Sequence, residues 1–467
     1  MKLKIKRTVM VGTAFMTIMM LWQVYNFTVP LFLDDMLSSL LQTGNKIIIG
    51  MIMALDNLFA LFMIPVISHF SDRSKSRLGK RTPFIIVGIL LSAAAFASVP
   101  FVYSAVVGKG GWKTMYLVLT LLAVLVAMNI YRSPAVALMP DITPKQMRSR
   151  ANSIINIMGG VGAALGFIAL FTTFNFTPSE AKPVVDIHTV FIVVAVLMVA
   201  ALAVFLLTVR EKKFVAEYRA ELEQYNRRLA AGELSPSEIM EDEDKDDDAP
   251  DEPIKVSAEQ KKVKLSRQLM FILAAVFFTY MSINAVETFM SLYSAELFGN
   301  EDYAMFFIVA FAATGFAFAV PAAKLAAKLG RRKLVILGAA NMGVCYVLCF
   351  LLTLAVTAWN ITPYLLIIPF FFAGVGFALV VINIYPMAVQ YCDEKSLGKF
   401  TGMYYTASML AQSITPALAG LCMLGSMLTL MPYAAAFMAV AFVCMLLASP
   451  KDKKGKGGTN AAAAQQQ

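Results

Sequence analysis

The chain has 467 residues; 59% are apolar, only 15% are charged, and the formal net charge is +10. A soluble domain carries about 25% charged residues, so a water-soluble enzyme, a disordered chain and a secreted disulfide scaffold are excluded. Apolar runs of roughly 20 residues recur along it, the length an α-helix needs to cross about 30 Å of hydrocarbon, and they are continuous rather than alternating as barrel strands are.

Twelve spans are predicted, at 8–33, 47–69, 83–105, 114–139, 149–175, 187–209, 268–295, 303–327, 333–356, 361–390, 397–423 and 427–448. The first follows a basic N-terminus, Met1 to Arg7, but it lacks a small-residue cleavage site and reads as a retained helix. Residues 210–266 hold 16 of the 30 acids, which leaves 14 for the rest of the chain. Glu211 to Ala231 has the character of a charged surface helix. MEDEDKDDDAPDEP, which follows at 240–253, is acidic and aperiodic and reads as a solvated linker. The low-complexity tail 449–467 reads as disordered. The expected domains are therefore a six-helix half 1–209, a cytoplasmic linker 210–266, a second six-helix half 267–448 and a tail 449–467.

With the N-terminus cytoplasmic, outside loops carry only the bases Lys46, Lys109, Lys113 and Lys182. The segments 2–7, 73–81, 145–150, 324–333, 395–399 and 451–456 gather the basic clusters inside. This is the positive-inside pattern for a multi-pass protein of the cytoplasmic membrane with both termini cytoplasmic. Cys345, Cys349, Cys392, Cys422 and Cys444 show no CxxC spacing and read as buried small hydrophobes, and His69 and His188 are far apart. No metal, cofactor or nucleic acid is expected. No HExxH or activated nucleophile is present for a hydrolase, and no phosphate-binding loop for an ATP-driven pump.

The two halves repeat. Asn129-Ile130-Tyr131 recurs as Asn383-Ile384-Tyr385 at an offset of 254, followed by Pro134 and Pro386, and Gly79-Lys80-Arg81 recurs as Gly330-Arg331-Arg332 at 251. Six plus six spans in parallel halves is the layout of a major facilitator transporter. The loop Ser71-Asp72-Arg73-Ser74-Lys75-Ser76-Arg77-Leu78-Gly79-Lys80-Arg81-Thr82-Pro83-Phe84 resembles the longer form of that superfamily's loop signature. That form is similar to the one in sucrose transporters and glycoside–pentoside–hexuronide cation symporters. Pro134 to Asp141, then Arg148, Arg150-Ala151-Asn152 and Gly159-Gly160, resemble the same groups. The resemblance implies the fold, a sugar-like substrate, and a cavity lined by spans one, four and seven with span two at its border. It does not carry the coupling residues. The acidic proton site of plant sucrose carriers falls at Leu125 and its arginine at Val136, and the span-two acids of the melibiose carrier fall near Ala60 and Ile64.

Asp72 lies beside Arg73, Arg77 and Arg81, where a carboxylate can accept charge-assisted hydrogen bonds and latch helix ends in one conformation. Asp141 with Arg148 and Arg150 is a matching candidate. The plainer reading is that these bases only enforce orientation.

Of the 14 acids outside the linker, only Asp56 and Glu287 fall inside spans, and Arg132 is the plain intramembrane base. A charge at the bilayer centre costs about 2.5–3.5 kcal/mol on insertion scales, so each needs partners or a polar cavity. Helical rise puts Arg132 about 14 Å from Asp141, Asp56 about 24 Å from Asp72 and Glu287 about 30 Å from Arg267. Asp56 and Glu287 are therefore the ion-coupling candidates, with Glu287 alternatively a rim residue. Arg132 can orient Asp56 or hold a substrate hydroxyl or carboxylate; the alternative for the pair is a static structural bridge. Gln23, Asn26, Asn57, Asn129, Asn284 and Asn383 can each donate and accept, and Trp22, Tyr25, Tyr131, Tyr280 and Tyr385 can stack on a pyranose face. For any single asparagine the alternative is an interhelical hydrogen bond.

The expectation is a secondary active transporter, monomeric, moving a small sugar-like solute by alternating access. The coupling cation is a proton rather than sodium, because a proton needs one titratable group and sodium several converging oxygens. The rivals are a proton-coupled exporter of amphipathic compounds and a non-transporting sensor that signals through the acidic linker.

Overall fold

The computed structural model describes residues 4–38, 45–107, 113–144, 148–173, 187–230, 267–389 and 397–448. The acidic linker segment 240–253, Cys392, the loop bases Lys109 and Lys182, and the tail lie outside the described residues. Six helices form the first half: α1 (Ile5–Ser38), α2 (Asn45–Arg73), α3 (Thr82–Val106), α4 (Thr114–Ile142), α5 (Arg148–Thr173) and α6 (Ile187–Thr208). A charged helix α7 (Glu211–Ala230) follows. The second half holds α8 (Arg267–Phe298), α9 (Asp302–Leu329), α10 (Arg331–Trp359), α11 (Ile367–Val389), α12 (Leu397–Cys422) and α13 (Leu430–Leu447). Among the described residues the protein is thus all-α, with twelve long helices in two groups of six.

Helix boundaries follow local chemistry. Pro83 opens α3 where its missing N–H costs nothing. Gly330, at φ +84, divides α9 from α10, and Asn360 in the left-handed region ends α10 before Pro363. At 1.5 Å per residue the 34 residues of α1 span about 51 Å, so α1 tilts or protrudes from the hydrocarbon layer. Eleven of the twelve membrane helices are long and apolar enough to cross a bilayer by composition. The other, α12, carries Tyr404, Tyr405, Thr406, Ser408, Gln412, Ser413 and Thr415. Thr406, Ser408, Ser413 and Thr415 donate to carbonyls of their own helix at 2.6–3.0 Å, which keeps them compatible with an apolar setting.

Pseudo-symmetry is visible in the packing. α1 packs on α5 as α8 does on α12, α3 on α4 as α10 on α11, and α3 on α6 as α10 on α13. Gly88 admits Tyr131 at the α3–α4 junction, and Gly338, 250 residues later, admits the Gly376 carbonyl at the α10–α11 junction. Asn129 and Asn383 each donate to the carbonyl four residues back, Leu125 and Leu379, at 2.9 Å.

Helices α1, α3, α5, α8, α10 and α12 start at the face that carries α7, here called the linker face; the opposite face is the distal face. The halves meet along α2–α12 and α1–α8. At the distal end Gly50 of α2 abuts the Pro416 carbonyl of α12, and Gly420 abuts the Lys46 backbone, closer than any Cβ allows. Lys46 pairs with Glu296 at 2.7 Å, and Phe171 of α5 meets Phe306 of α9 with centroids 5.4 Å apart.

A side chain at position 50 must push α2 and α12 apart. Overpacking costs about 1–3 kcal/mol, so Gly50→Val should shift the balance toward the distally open state roughly tenfold or more. The check is the labelling rate of Met53→Cys, one turn along α2, by an impermeant thiol reagent from the distal side. It should rise by that factor, and an unchanged rate would remove the glycine contact from the gate.

Candidate functional site

Three residues of one turn of α1 meet the three intramembrane charges. The Arg132 guanidinium of α4 lies 5.3 Å over the Trp22 ring. Asp56 of α2 is 2% exposed and interacts electrostatically with both Arg132 and Tyr25. Neither carboxylate oxygen of Asp56, nor Nη1 of Arg132, nor the Tyr25 hydroxyl, has a hydrogen-bond partner among the described residues. Asp56 and Arg132 are therefore close enough to feel each other's charge without bonding. A buried polar atom left unpaired costs about 1–3 kcal/mol and a charged one more, so this is a costly arrangement that a proton or ligand relieves.

Asn26, in the same turn, donates from Nδ2 to Oε1 of Glu287 on α8 at 3.2 Å. Asn284, one turn earlier on α8, has a buried Oδ1 without a donor among the described residues. Tyr280 interacts electrostatically with Glu287, and its hydroxyl lies 3.5 Å from that of Tyr404 on α12. Tyr385 of α11 meets Tyr404 edge-on at 5.0 Å, and Tyr405 lies 5.5 Å from Tyr404. Tyr404 and Tyr405 were not picked out from the sequence. Their signal was a tyrosine pair in the least apolar span.

The remaining candidates are placed differently. Asn57 is buried beside Asp56 on α2, and Gln23 is half-buried on α1 with its Cβ against Gly166. Asn129 and Asn383 spend their amides on their own helices, although Oδ1 of Asn129 is buried without a partner among the described residues. Tyr131 is fully buried. Its ring fills the gap at Gly88, and its hydroxyl accepts from Thr17 at 3.3 Å, so it is a packing residue between α1, α3 and α4.

At the linker face the hub is Arg81, not Asp72. Arg81 is 7% exposed and pairs with Asp72 at 2.5 Å and with Asp141 at 2.9 Å, and it donates to the Ser71 hydroxyl at 3.2 Å. Arg73 and Arg77 are exposed. The α2 helix stops at Arg73, and Gly79, at φ +131, turns the chain so that only Arg81 points back. Asp141 thus joins the same arginine. The side chains of Arg148 and Arg150 lie outside the described residues. All of these contacts are within the first half, so the cluster here is a staple of that half.

Glu211, the first residue of α7, joins the staple. It is 3% exposed and accepts from the backbone N–H of Lys80, Arg81 and Thr82 and from the Thr82 hydroxyl, at 2.6–3.1 Å. A carboxylate there meets the positive end of α3. Gly79 is required because a Cβ would overlap the Glu211 carboxylate. Along α7, Glu217 pairs with Arg7 and Glu221 with Lys4, and Arg7 also lies 4.5 Å over Phe214. The hydrogen bond from Arg7 holds the Glu217 carboxyl below the usual glutamate range. The docking contribution of Glu217 is therefore present above that range and lost as pH falls through its lowered pKa.

The profile of the Major Facilitator Superfamily matches residues 11–359 and, again, 272–466. The chain belongs to the major facilitator superfamily. Among solved structures it is similar to a D-xylose–proton symporter, at 11% identity, TM-score 0.67, covering 96% of this chain and 99% of that one. It is also similar to a bacterial homologue of the iron transporter ferroportin in an inward-facing state, at 12% identity, TM-score 0.64, covering 96% and 99%. A peptide transporter in complex with sulfate matches at 13% identity, TM-score 0.62, covering 95% and 93%.

As a major facilitator protein the chain is a membrane transporter of a small solute, not an enzyme. The charges around α1 lie where the two halves meet, and the Arg81 staple lies at the mouth of the first half.

Two substitutions separate the parts of the staple. Arg81→Ala leaves two carboxylates and Ser71 without their shared donor, so it should lower the unfolding temperature more than Asp72→Asn does. Glu211→Ala removes a helix cap worth about 1–2 kcal/mol and should cost an intermediate amount. Scanning fluorimetry of the purified protein reads both, and equal shifts for Arg81→Ala and Asp72→Asn would contradict the hub assignment.

Proposed function

We propose that the protein is a symporter that moves a sugar or glycoside by alternating access, with a proton carried at Asp56. The observation that carries this reading is the pair Asp56, buried, and Arg132, half-buried, which face each other's charge while neither Asp56 oxygen nor Nη1 of Arg132 has a hydrogen-bond partner among the described residues. A structural ion pair would close to hydrogen-bond distance. An open one leaves the carboxylate free to take a proton and the guanidinium free to take a substrate oxygen. Neutral groups around it, Gln23, Asn26, Asn57 and Asn284, offer both donors and acceptors, as a polyhydroxylated solute requires. Trp22, beside Arg132, and the Tyr280–Tyr385–Tyr404 group of the second half offer ring faces. The similarity to a xylose symporter is in keeping with this substrate class, and the similarity to iron and peptide transporters leaves it to be tested.

In this scheme the linker face, where the basic clusters gather, is cytoplasmic, and the distal contacts close the present state on the outside. A proton and solute bound from outside are released when the Gly50–Pro416 and Lys46–Glu296 contacts form. The acidic linker lies outside this cycle, and a chain lacking 240–253 should still transport.

The test is uptake of a labelled sugar panel into proteoliposomes under imposed pH gradients. Wild type should concentrate one sugar. Asp56→Asn, neutral and isosteric, should lose accumulation at least a hundredfold yet retain counterflow exchange. Arg132→Lys, which keeps the charge but not the fork, should raise the half-saturating sugar concentration about tenfold. No uptake of any sugar under any gradient would overturn the substrate class, and accumulation by Asp56→Asn would overturn the proton site.

A further inference from the structure

The start of α1 is rich in cations and poor in counter-charge. Lys4, Lys6 and Arg7 stand there, and the first turn of the helix holds no acidic residue. Glu221 of α7 takes Lys4, but Glu217 is shared among Arg7, Lys4 and Lys213. Lys6 is exposed and pairs with no carboxylate among the described residues. The positive end of the α1 dipole lies at the same turn and adds to the excess. Arg210 and Lys212, on either side of Glu211, are exposed as well.

Lys4, Lys6 and Arg7 line a cavity of about 540 Å³ where the start of α1, the end of α6 and the start of α7 converge. The rest of its lining is apolar. Ile5, Met10 and Phe214 supply hydrocarbon and a ring face, and Thr208 spends its hydroxyl on the Val204 carbonyl at 2.6 Å. Arg7 is held over the Phe214 ring at 4.5 Å and by its hydrogen bond to Glu217. A free anion would use the cations and leave the apolar lining wet. An uncharged apolar molecule would leave the cations unmet. By comparison, a groove of about 740 Å³ between α3 and α4 near the distal face has Lys113 as its single cation. Helix α7, which forms one wall of the smaller cavity, carries Phe214, Tyr218 and Leu222 four residues apart on one face, the pattern of a helix lying at a membrane surface.

We infer that this cavity binds an anionic phospholipid, its phosphate at Lys4, Lys6 and Arg7 and the glycerol end of its acyl chains against Ile5, Met10 and Phe214. Charge and depth both support this occupant. A phosphodiester supplies the negative charge that the sharing of Glu217 leaves short, and its oxygens accept from ammonium and guanidinium groups alike. The apolar run of α1 begins directly after Arg7, so the cavity stands at the level where lipid headgroups meet hydrocarbon. Basic pockets between membrane helices take such headgroups. Every lining residue belongs to the first half or to α7, so the site keeps its shape when the halves move against each other. A lipid seated there bridges α1, α6 and α7 and strengthens the docking of the linker helix. The site is remote from Asp56 and does not depend on the sugar reading.

The experiment uses the full-length protein in uncharged detergent and needs no transported solute. Its unfolding temperature is measured against short-chain phosphatidylglycerol, short-chain phosphatidylcholine and inorganic phosphate at fixed pH and ionic strength. Phosphatidylglycerol should raise it saturably, and the other two at the same concentrations should not. Lys6→Gln should raise the half-saturating phosphatidylglycerol concentration about fivefold. Lys75→Gln, which removes an exposed base of the same face outside the cavity, should leave it unchanged. Met10→Trp fills the apolar lining without altering charge and should weaken phosphatidylglycerol by a similar factor to Lys6→Gln. If Met10→Trp fails to fold, Ile5→Asn makes the same test at an exposed position. No phosphatidylglycerol shift in wild type overturns the site. Equal effects of Lys6→Gln and Lys75→Gln reduce it to diffuse surface charge, and an equal shift with inorganic phosphate reduces it to a free-anion site; either result overturns the lipid assignment. So does a phosphatidylglycerol shift untouched by Met10→Trp and Ile5→Asn. None of these outcomes bears on sugar uptake, so the two proposals fail separately.

Discussion

A charge in hydrocarbon must be met by the protein, and in this chain one helix meets all three. Trp22, Tyr25 and Asn26 occupy a single turn of α1 and reach Arg132, Asp56 and Glu287 on three different helices. α1 can do this because its own position is fixed independently. Gly12, Gly159 and Gly162 let α1 and α5 approach until side chains of one touch the backbone of the other, and α6 and α4 cover further faces. The helix is thus held by ordinary packing while it presents polar groups to both halves. Without that rigid support, a charge held open beside another would collapse into a bonded pair.

The contacts between the halves are of a different kind from those within them. Within each half, apolar side chains interlock over whole helix lengths, which is costly to disturb. Between them stand glycine approaches at Gly50 and Gly420, the hydrogen bond Asn26–Glu287 and the pair Lys46–Glu296. An ion pair as exposed as Lys46–Glu296 is worth about 0–1 kcal/mol. Such contacts can be broken without stranding backbone polar groups, because every helix keeps its own hydrogen bonds. The linker helix α7 respects the same division, since its described contacts, through Glu211, Glu217 and Glu221, are all to the first half.

Much of the fold was legible because membrane spans are set by length and apolarity alone, and the repeated Asn-Ile-Tyr proved to mark equivalent amide bonds in α4 and α11. What the sequence hid was direction. Tyr131 has the chemistry of a sugar contact, but helix phase turns it toward Gly88. Arg73, Arg77 and Arg81 are equal as letters, and only the left-handed Gly79 decides which one folds back. Asp141 is 60 residues from Arg81, a separation that no local spacing reveals. Glu211 belongs by composition to the charged linker, yet its carboxylate is buried on the N-terminus of α3. Asp56, Arg132 and Glu287 are visible as candidates because an intramembrane charge stands out against its surroundings whatever the fold.

The unequal surroundings of the two carboxylates carry an electrical consequence. Asp56 with Arg132 is a neutral pair, so a solute bound between them leaves the net charge unchanged, and a proton on Asp56 makes the loaded site positive. No cationic group acts on Glu287 among the described residues, so when ionised it carries an uncompensated negative charge. Moving one charge across a membrane potential is worth about 2.3 kcal/mol per 100 mV. With the proton proposed on Asp56 and Glu287 ionised, the loaded protein would be neutral over these three groups and the empty protein would return with one negative charge. An inside-negative potential would then assist the outward return of the empty protein rather than the loaded step. The first half would set what is carried, and the second would make the return of the empty carrier sensitive to voltage.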